Sequence, residues 1–123
     1  MKENEHAFAL LSNPRKMPGH FLVMPKRHIE QPWDMNELEQ KAVFELIFAI
    51  EQKIIGTLGD GCDIRQNYRP FVDQSKLKVN HVHFHVYPRY AEDYLYKVSE
   101  QYEKDLFTDL DPGEIDEIAK LLQ

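Results

Sequence analysis

Cysteine is nearly absent: Cys62 is the only one in 123 residues. No disulfide can staple the chain, no Cys-x-x-Cys pair offers a zinc site, and a lone thiol suits a reducing compartment. Nowhere do 18 uncharged apolar residues follow one another, so no membrane-spanning helix is expected. The opening Met1-Lys2-Glu3-Asn4-Glu5-His6 lacks the apolar stretch of a signal peptide. A cytoplasmic protein with no membrane partner is the expectation. Basic residues are also in deficit. With 15 Lys and Arg against 21 Asp and Glu, the net charge of −6 argues against a grip on long nucleic acid, where many phosphates must be neutralised.

What is present is the composition of one globular domain, 42% hydrophobic and 29% charged. At this length about two-thirds of the unfolded surface can be buried, which is enough for a core without metal or disulfide staples. A single domain over 1–123 is expected, with residues 1–6 flexible. Between Arg65 and Arg89 the charge reverses. Arg65, Arg69, Lys76, Lys78 and Arg89 face Asp73 alone, a local +4 that suits a small anion site or an ordinary surface equally well.

Phe8-Ala9-Leu10-Leu11, stopped by Ser12-Asn13-Pro14, and Phe21-Leu22-Val23-Met24, between Gly19-His20 and Pro25, read as short strands. Asp34 with Glu37 three residues later is the expected helix start. After it, Leu38, Ala42, Val43, Leu46, Ile47, Ile50 and Ile54 recur at spacings of three and four, and Gly56 and Gly59 end the run. This helix is apolar over more than half its circumference, so it is expected to lie on a sheet or in an interface.

Cys62 to Tyr68 and Val79 to Tyr87 alternate as strands around a polar loop at Asp73-Gln74-Ser75-Lys76. In the second, Val79, His81, His83 and His85 share one face, and Asn80, Val82, Phe84 and Val86 the other, core-facing one. Leu95, Val98, Tyr102 and Leu106 predict a further helix. Asp111-Pro112-Gly113-Glu114 opens a last short one with Ile115, Ile118 and Leu122 on its inner side. The fold class is α+β.

The row His81-His83-His85 is the most informative segment. Residues two apart on a strand stand about 6.6 Å apart on one face, so three imidazoles line up with His83 in the middle. A solvated strand face would be served as well by Thr, Ser, Lys or Glu. A shared metal ion is the second reading, although the nearest following acids, Glu92 and Asp93, lie beyond Pro88. The third is nucleophilic catalysis. Imidazole is neutral near pH 7, attacks phosphorus in line, and a neighbouring histidine can hold a proton for the leaving group.

These residues also carry a resemblance. His81-Val82-His83-Phe84-His85-Val86-Tyr87-Pro88-Arg89 resembles the histidine triad (HIT) motif, and Gly19-His20-Phe21-Leu22-Val23-Met24-Pro25-Lys26-Arg27-His28 resembles the second signature of that family. The similarity covers roughly residues 7–90, leaving 91–123 as C-terminal helices. Its closing Pro88-Arg89 is closest to the fragile histidine triad, or dinucleoside polyphosphate hydrolase, branch.

The resemblance implies a HIT-like antiparallel sheet under the long helix, a homodimer, and a nucleotide substrate cut at its α-phosphorus. His83 matches the nucleophile that carries a covalent nucleotidyl group. His85 matches the residue at the phosphate and leaving group, His81 the structural member that orients the nucleophile, and His20 the fourth histidine beside it. Asn67 matches an asparagine of the phosphate and ribose site. Ser12, or its neighbour Asn13, falls where a ribose contact is expected, while Lys78 and Arg89 are candidates for phosphate. No cofactor is required, with magnesium entering only on a polyphosphate substrate.

Two departures stand out. Leu77 and Lys78 occupy positions where many members carry Gln and Ser or Thr, with Gln74 and Ser75 as possible substitutes. The chain also starts close to the first matched strand, without most of the segment that often walls the purine pocket. A nucleoside phosphoramidase and a nucleotide-binding module with little turnover are the alternative functions. His6 and His28 are expected at the surface or behind the site residues, Arg69 at the surface, and Cys62 in the core.

Overall fold

The computed structural model describes residues 2–75 and 78–123, and the chain falls into two compact units, Met1–Tyr90 and Ala91–Gln123. Lys76 and Leu77 lie outside the described residues. The first unit holds a five-stranded antiparallel sheet, as expected for an α+β chain. Its strands are β1 (Lys2–Glu3), β2 (Ala7–Leu11), β3 (Phe21–Pro25), β4 (Gly61–Gln66) and β5 (Phe84–Arg89), in spatial order β1-β2-β3-β5-β4. Lys2 pairs with Ala9 and Glu3 with Phe8, so part of the segment expected to be flexible adds an edge strand. The Asn4 amide then donates to the Ala42 carbonyl at 2.9 Å.

The long helix α1 spans Glu37–Ile54. Asn36 caps it rather than Asp34. The Asn36 side chain accepts from the Glu39 amide at 2.9 Å, and Glu39 accepts from the Asn36 amide at 3.0 Å, which satisfies two backbone donors that the first turn would otherwise leave open. Asp34 instead ends a short 3-10 turn, Pro32–Asp34. Glu39 is buried, and Arg27 grips its carboxylate in a fork at 2.8 and 3.0 Å. At the other end Gly56 takes φ +82°, the left-handed conformation that stops a helix.

Ala42, Val43, Leu46, Ile47, Ile50 and Ile54 pack on Ala7, Ala9, Val23, Phe84 and Val86 of the sheet, with Val82 just ahead of it, to form the core. Leu38, counted in that stripe from its spacing, is exposed, because the buried place in the first turn goes to Glu39. Phe44 and Phe48 also stay at the surface.

The histidine-bearing strand is shorter than its alternation suggests. It begins at Phe84, which pairs with Val23 on one side and Gln66 on the other. Both ladders stop there, so residues 79–83 approach as irregular chain, tied by the Val82 amide to the Ile29 carbonyl at 2.7 Å. β4 likewise ends at Gln66, leaving Asn67 and Tyr68 just beyond it.

In the second unit the expected Leu95–Leu106 helix breaks at Ser99 (φ −139°, ψ −64°). α2 (Tyr94–Val98) is followed by a 3-10 helix, Glu100–Leu106. α3 (Pro112–Ala119) starts at Asp111 as expected, its carboxylate accepting from the Gly113 amide. Ile115, Ile118 and Leu122 do not form an inner side: they are 48%, 52% and 91% exposed.

Because the cap belongs to Asn36, replacing it should matter where replacing Asp34 does not. Asn36→Ala should lower unfolding free energy by about 1 kcal/mol, and Asp34→Ala by much less, read from urea midpoints at constant slope.

Candidate active site

The second signature and the triad meet because β3 and β5 are neighbours, with Leu22 opposite His85 and Phe21 opposite Val86. Phe84 and Val86 face the core under α1, so the alternation of β5 sends His85 and Tyr87 to the opposite face. His20 sits at the entry to β3. The turn before it relies on Gly19, at φ +81°, where a Cβ would stand 2.7 Å from Leu58 Cδ1 and 2.9 Å from Pro88 Cγ. The connection Ser12–His20 closes with the Ser12 amide on the His20 carbonyl at 2.8 Å.

Hydrogen bonds set a donor nitrogen on each ring, since an amide N–H only donates and a carbonyl only accepts. The Lys16 amide donates to His20 Nδ1 at 3.1 Å, so His20 holds its proton on Nε2. That proton is donated to His85 Nδ1 at 2.9 Å. His85 Nδ1 is thereby an acceptor, and the His85 proton sits on Nε2. His83 Nδ1–H donates to the His81 carbonyl at 2.7 Å, so in the neutral ring the lone pair is on His83 Nε2. His81 donates from Nε2 to the Pro25 carbonyl at 2.9 Å, and its Nδ1 meets Ile29 at both the amide, 3.1 Å, and the carbonyl, 3.2 Å. Its ring is thus engaged at both nitrogens with the backbone.

The arrangement sets a ring nitrogen of His83 beside a donor nitrogen of His85. The His83 and His85 rings are 4.9 Å apart, edge to face. Desolvation by burial lowers His20 and His85, each to about 4, with neighbouring positive charge at Lys16 adding to both and His83 next to each. Both are neutral at pH 7, as their hydrogen bonds require. His85 stacks on Tyr87 at 5.6 Å and 8°, and His20 tilts against the same ring at 4.5 Å.

One cavity is lined by Ser12, Asn13, Arg15, Lys16, His20, Val79, His83 and His85, together with Pro14 and Leu22. A second is lined by residues including Asn67, Arg69, Lys78, Val79, Asn80 and His81. Val79 belongs to both. The expected site residues are therefore divided between two adjoining hollows: Ser12, Asn13, His20, His83 and His85 in the first, Asn67, Lys78 and His81 in the second. The Ser12 hydroxyl donates to the Pro14 carbonyl at 2.8 Å, and Lys78 hydrogen-bonds to Asn80. Ser75 is bridged to Lys78 through the backbone. Arg89 lines neither cavity and pairs with Asp63 at 2.5 Å.

Several contributors escaped the sequence reading. Lys16 and Arg15 lie on the Ser12–His20 connection, which is bracketed by candidate residues at both ends. Tyr87, inside the triad motif, is buried beneath the rings. His28, expected at the surface or behind the site residues, is exposed and stacks on His81 at 5.2 Å and 13°. Cys62 is only half-buried, and burial pushes its thiol up to about 11.

The sign of the pH dependence follows from the two depressed histidines. Unfolded, each binds a proton near the ordinary 6.5; folded, only near 4. Their contribution to stability is thus complete above 6.5 and is lost as pH falls toward 4. Denaturant midpoints should drop across that window. NMR of the ring nitrogens should find His20 and His85 still neutral at pH 5.5, and protonation of either ring there would contradict the hydrogen-bond chain.

Among known proteins, the model of the HIT domain family matches residues 1–92. The chain is 38% identical over 95 residues to an uncharacterized HIT-like protein, MJ0866, of Methanocaldococcus jannaschii, covering 74% of this chain and 68% of that protein. It is 32% identical over 91 residues to Protein hit of Bacillus subtilis, covering 73% and 61%. The chain thus spans about two-thirds of the length of these curated relatives. The crystal structure of a HIT family member from Bacillus subtilis superposes with TM-score 0.71 at 25% identity, over 99% of this chain and 83% of that one. That of a hypothetical histidine triad nucleotide-binding protein from Sulfolobus tokodaii shares the fold, with TM-score 0.59 at 23% identity over 90% and 67%. Two signatures that converge on one cavity, within a family match that runs through both, make this chain a member of the histidine triad family.

Proposed function

We infer that the chain is a nucleotide hydrolase or transferase that works through a covalent nucleotidyl-His83. The observation that carries this is the 2.7 Å bond from His83 Nδ1–H to the His81 carbonyl, which directs the lone pair to Nε2. In the first step that pair forms the N–P bond at the α-phosphorus while the bond from phosphorus to the leaving group breaks, and the leaving group departs with its electron pair. Positive charge arising on the ring is met by the carbonyl dipole at Nδ1. His85 Nε2–H is the donor for a phosphate or leaving-group oxygen. Water then attacks phosphorus, the N–P pair returns to Nε2, and the water proton passes to solvent.

Dinucleoside polyphosphates are the favoured substrate class, as the Pro88-Arg89 ending of the triad segment suggests. No metal is required in this scheme. Both His81 nitrogens and one each of His83 and His85 are already engaged in hydrogen bonds, so the row does not present three open nitrogens to one ion. Magnesium enters, if at all, on the substrate phosphates. A cytoplasmic location accompanies the reading, in keeping with one unpaired thiol.

A brief incubation with substrate labelled in the α-phosphoryl group should place label on His83, in chelator-treated protein as well. His83→Ala should lower turnover by about a thousandfold or more while nucleotide binding persists. Saturable binding with no labelled histidine in the parent chain would mark a binding module instead, and retained turnover in His83→Ala would remove the covalent mechanism.

The functional unit in this reading is a homodimer. Phe44 and Phe48, 38% and 55% exposed, lie 5.8 Å apart on α1, and Phe44 packs on Phe84 beside the open edge strand β4. A symmetric pairing would cover that stripe on both copies. Light scattering at micromolar concentration should give twice the chain mass of 14.6 kDa, and Phe48→Glu should return it to a single copy. A single-chain mass before substitution would refute the dimer.

A further inference from the structure

Trp33, the one tryptophan of the chain, is 65% exposed, and the ring of Tyr68, itself at the surface, meets it edge to face at 5.1 Å and 68°. Such a pair uses an edge of one ring and a face of the other, so the remaining faces are not spent on the pair. A scattered exposed aromatic would carry no meaning. This one is mounted firmly. The 3-10 turn Pro32–Asp34 closes with the Asp34 amide on the Gln31 carbonyl at 2.9 Å. Arg27 donates to the Asp34 carbonyl at 3.1 Å through the same guanidinium that grips the buried Glu39, and Met35, just after the turn, is buried.

The pair adjoins the second of the two hollows. Tyr68 lines it, as do Glu30 and Gln31 just before the turn, and Arg69 and Lys78. Val79 lines both this hollow and the triad cavity, so a ligand whose reacting phosphorus sits at His83 can extend past Val79 toward Tyr68. The candidate ribose contacts Ser12 and Asn13 share the first cavity with His83 and His85. The transferred nucleoside therefore belongs in the first cavity, and the second is left to the departing chain.

Resting on the nucleotidyl-transfer reading, we propose that Trp33 and Tyr68 form the subsite for the far base of a dinucleoside polyphosphate, which stacks on this aromatic pair while its phosphate chain lies in the hollow beside Arg69 and Lys78. Base–aromatic stacking needs only a ring face, so it tolerates any base. A platform already held in place also loses little freedom when the base arrives. The subsite thus favours a substrate with a nucleoside at both ends over one that ends in bare phosphate, and it does not choose between bases.

The test compares diadenosine tetraphosphate with adenosine tetraphosphate, which share the transferred adenylyl group and the phosphate chain and differ only in the far nucleoside. Trp33→Ala should lower kcat/KM for the first about tenfold more than for the second, and Trp33→Phe should recover most of that ratio. An equal fall on both substrates would make Trp33 a support of the turn and overturn the proposal, as would no fall. Because Trp33 is the one tryptophan, its emission reads stacking without chemistry. In His83→Ala protein, diadenosine tetraphosphate should quench that emission saturably and adenosine tetraphosphate far less. Equal quenching by both would put the transferred base on the indole and overturn the assignment, as would quenching by neither. Quenching specific to diadenosine tetraphosphate while His83 of the parent chain never takes label would leave the subsite standing and retire nucleotidyl transfer. Label on His83 with an unchanged ratio in Trp33→Ala would do the reverse.

Discussion

One backbone amide organises the site. Lys16 N–H donates to His20 Nδ1, which places the His20 proton on Nε2 and hands it to His85, which in turn exposes a proton on its own Nε2. A parallel bond, from His83 to the His81 carbonyl, sets the opposite polarity on the neighbouring ring. The Nε2 of the neutral His83 ring, an acceptor, and the Nε2–H of His85, a donor, thus stand on adjacent imidazoles. Burial enforces the arrangement, because a protonated His20 or His85 would have to lose both solvation and its acceptor bond.

The scaffold holds these rings by separating their tasks. α1 covers one face of the sheet with aliphatic side chains, so β5 can devote its other face to His85 and Tyr87. The irregular approach of residues 79–83 is equally necessary. Outside the ladder, His83 can turn Nδ1 back on the His81 carbonyl, and His81 can spend both nitrogens on the chain at Pro25 and Ile29. Three identical residues in one motif consequently differ in hydrogen bonding, decided by the partner each ring meets: backbone groups for His81 and His83, the His20 ring for His85.

Electrostatics follow the same local logic. The overall charge of −6 describes the exterior, whereas the cavity beside the triad presents cations and imidazoles. The buried Glu39 is matched at close range by Arg27, and Asp63 by Arg89.

Spacing in the chain was sufficient for the α+β class, the long helix and the pairing of two histidine-bearing segments, because burial on one side imposes periods of 3.6 and 2 that composition records directly. It was also sufficient to single out His83 as the central ring. It misplaced the helix cap at Asp34, since Asn36 with Glu39 competes for the same start and only packing around Arg27 and Glu39 decides between them. It extended the triad strand to Val79, since alternation persists where ladder partners have run out. Which nitrogen of each ring bears the proton, and that Lys16 and Arg65 flank the Tyr87 beneath His85, were decided by tertiary structure alone. Both depend on groups far apart in sequence meeting at hydrogen-bond and ring-contact distance, and no periodicity along the chain encodes that.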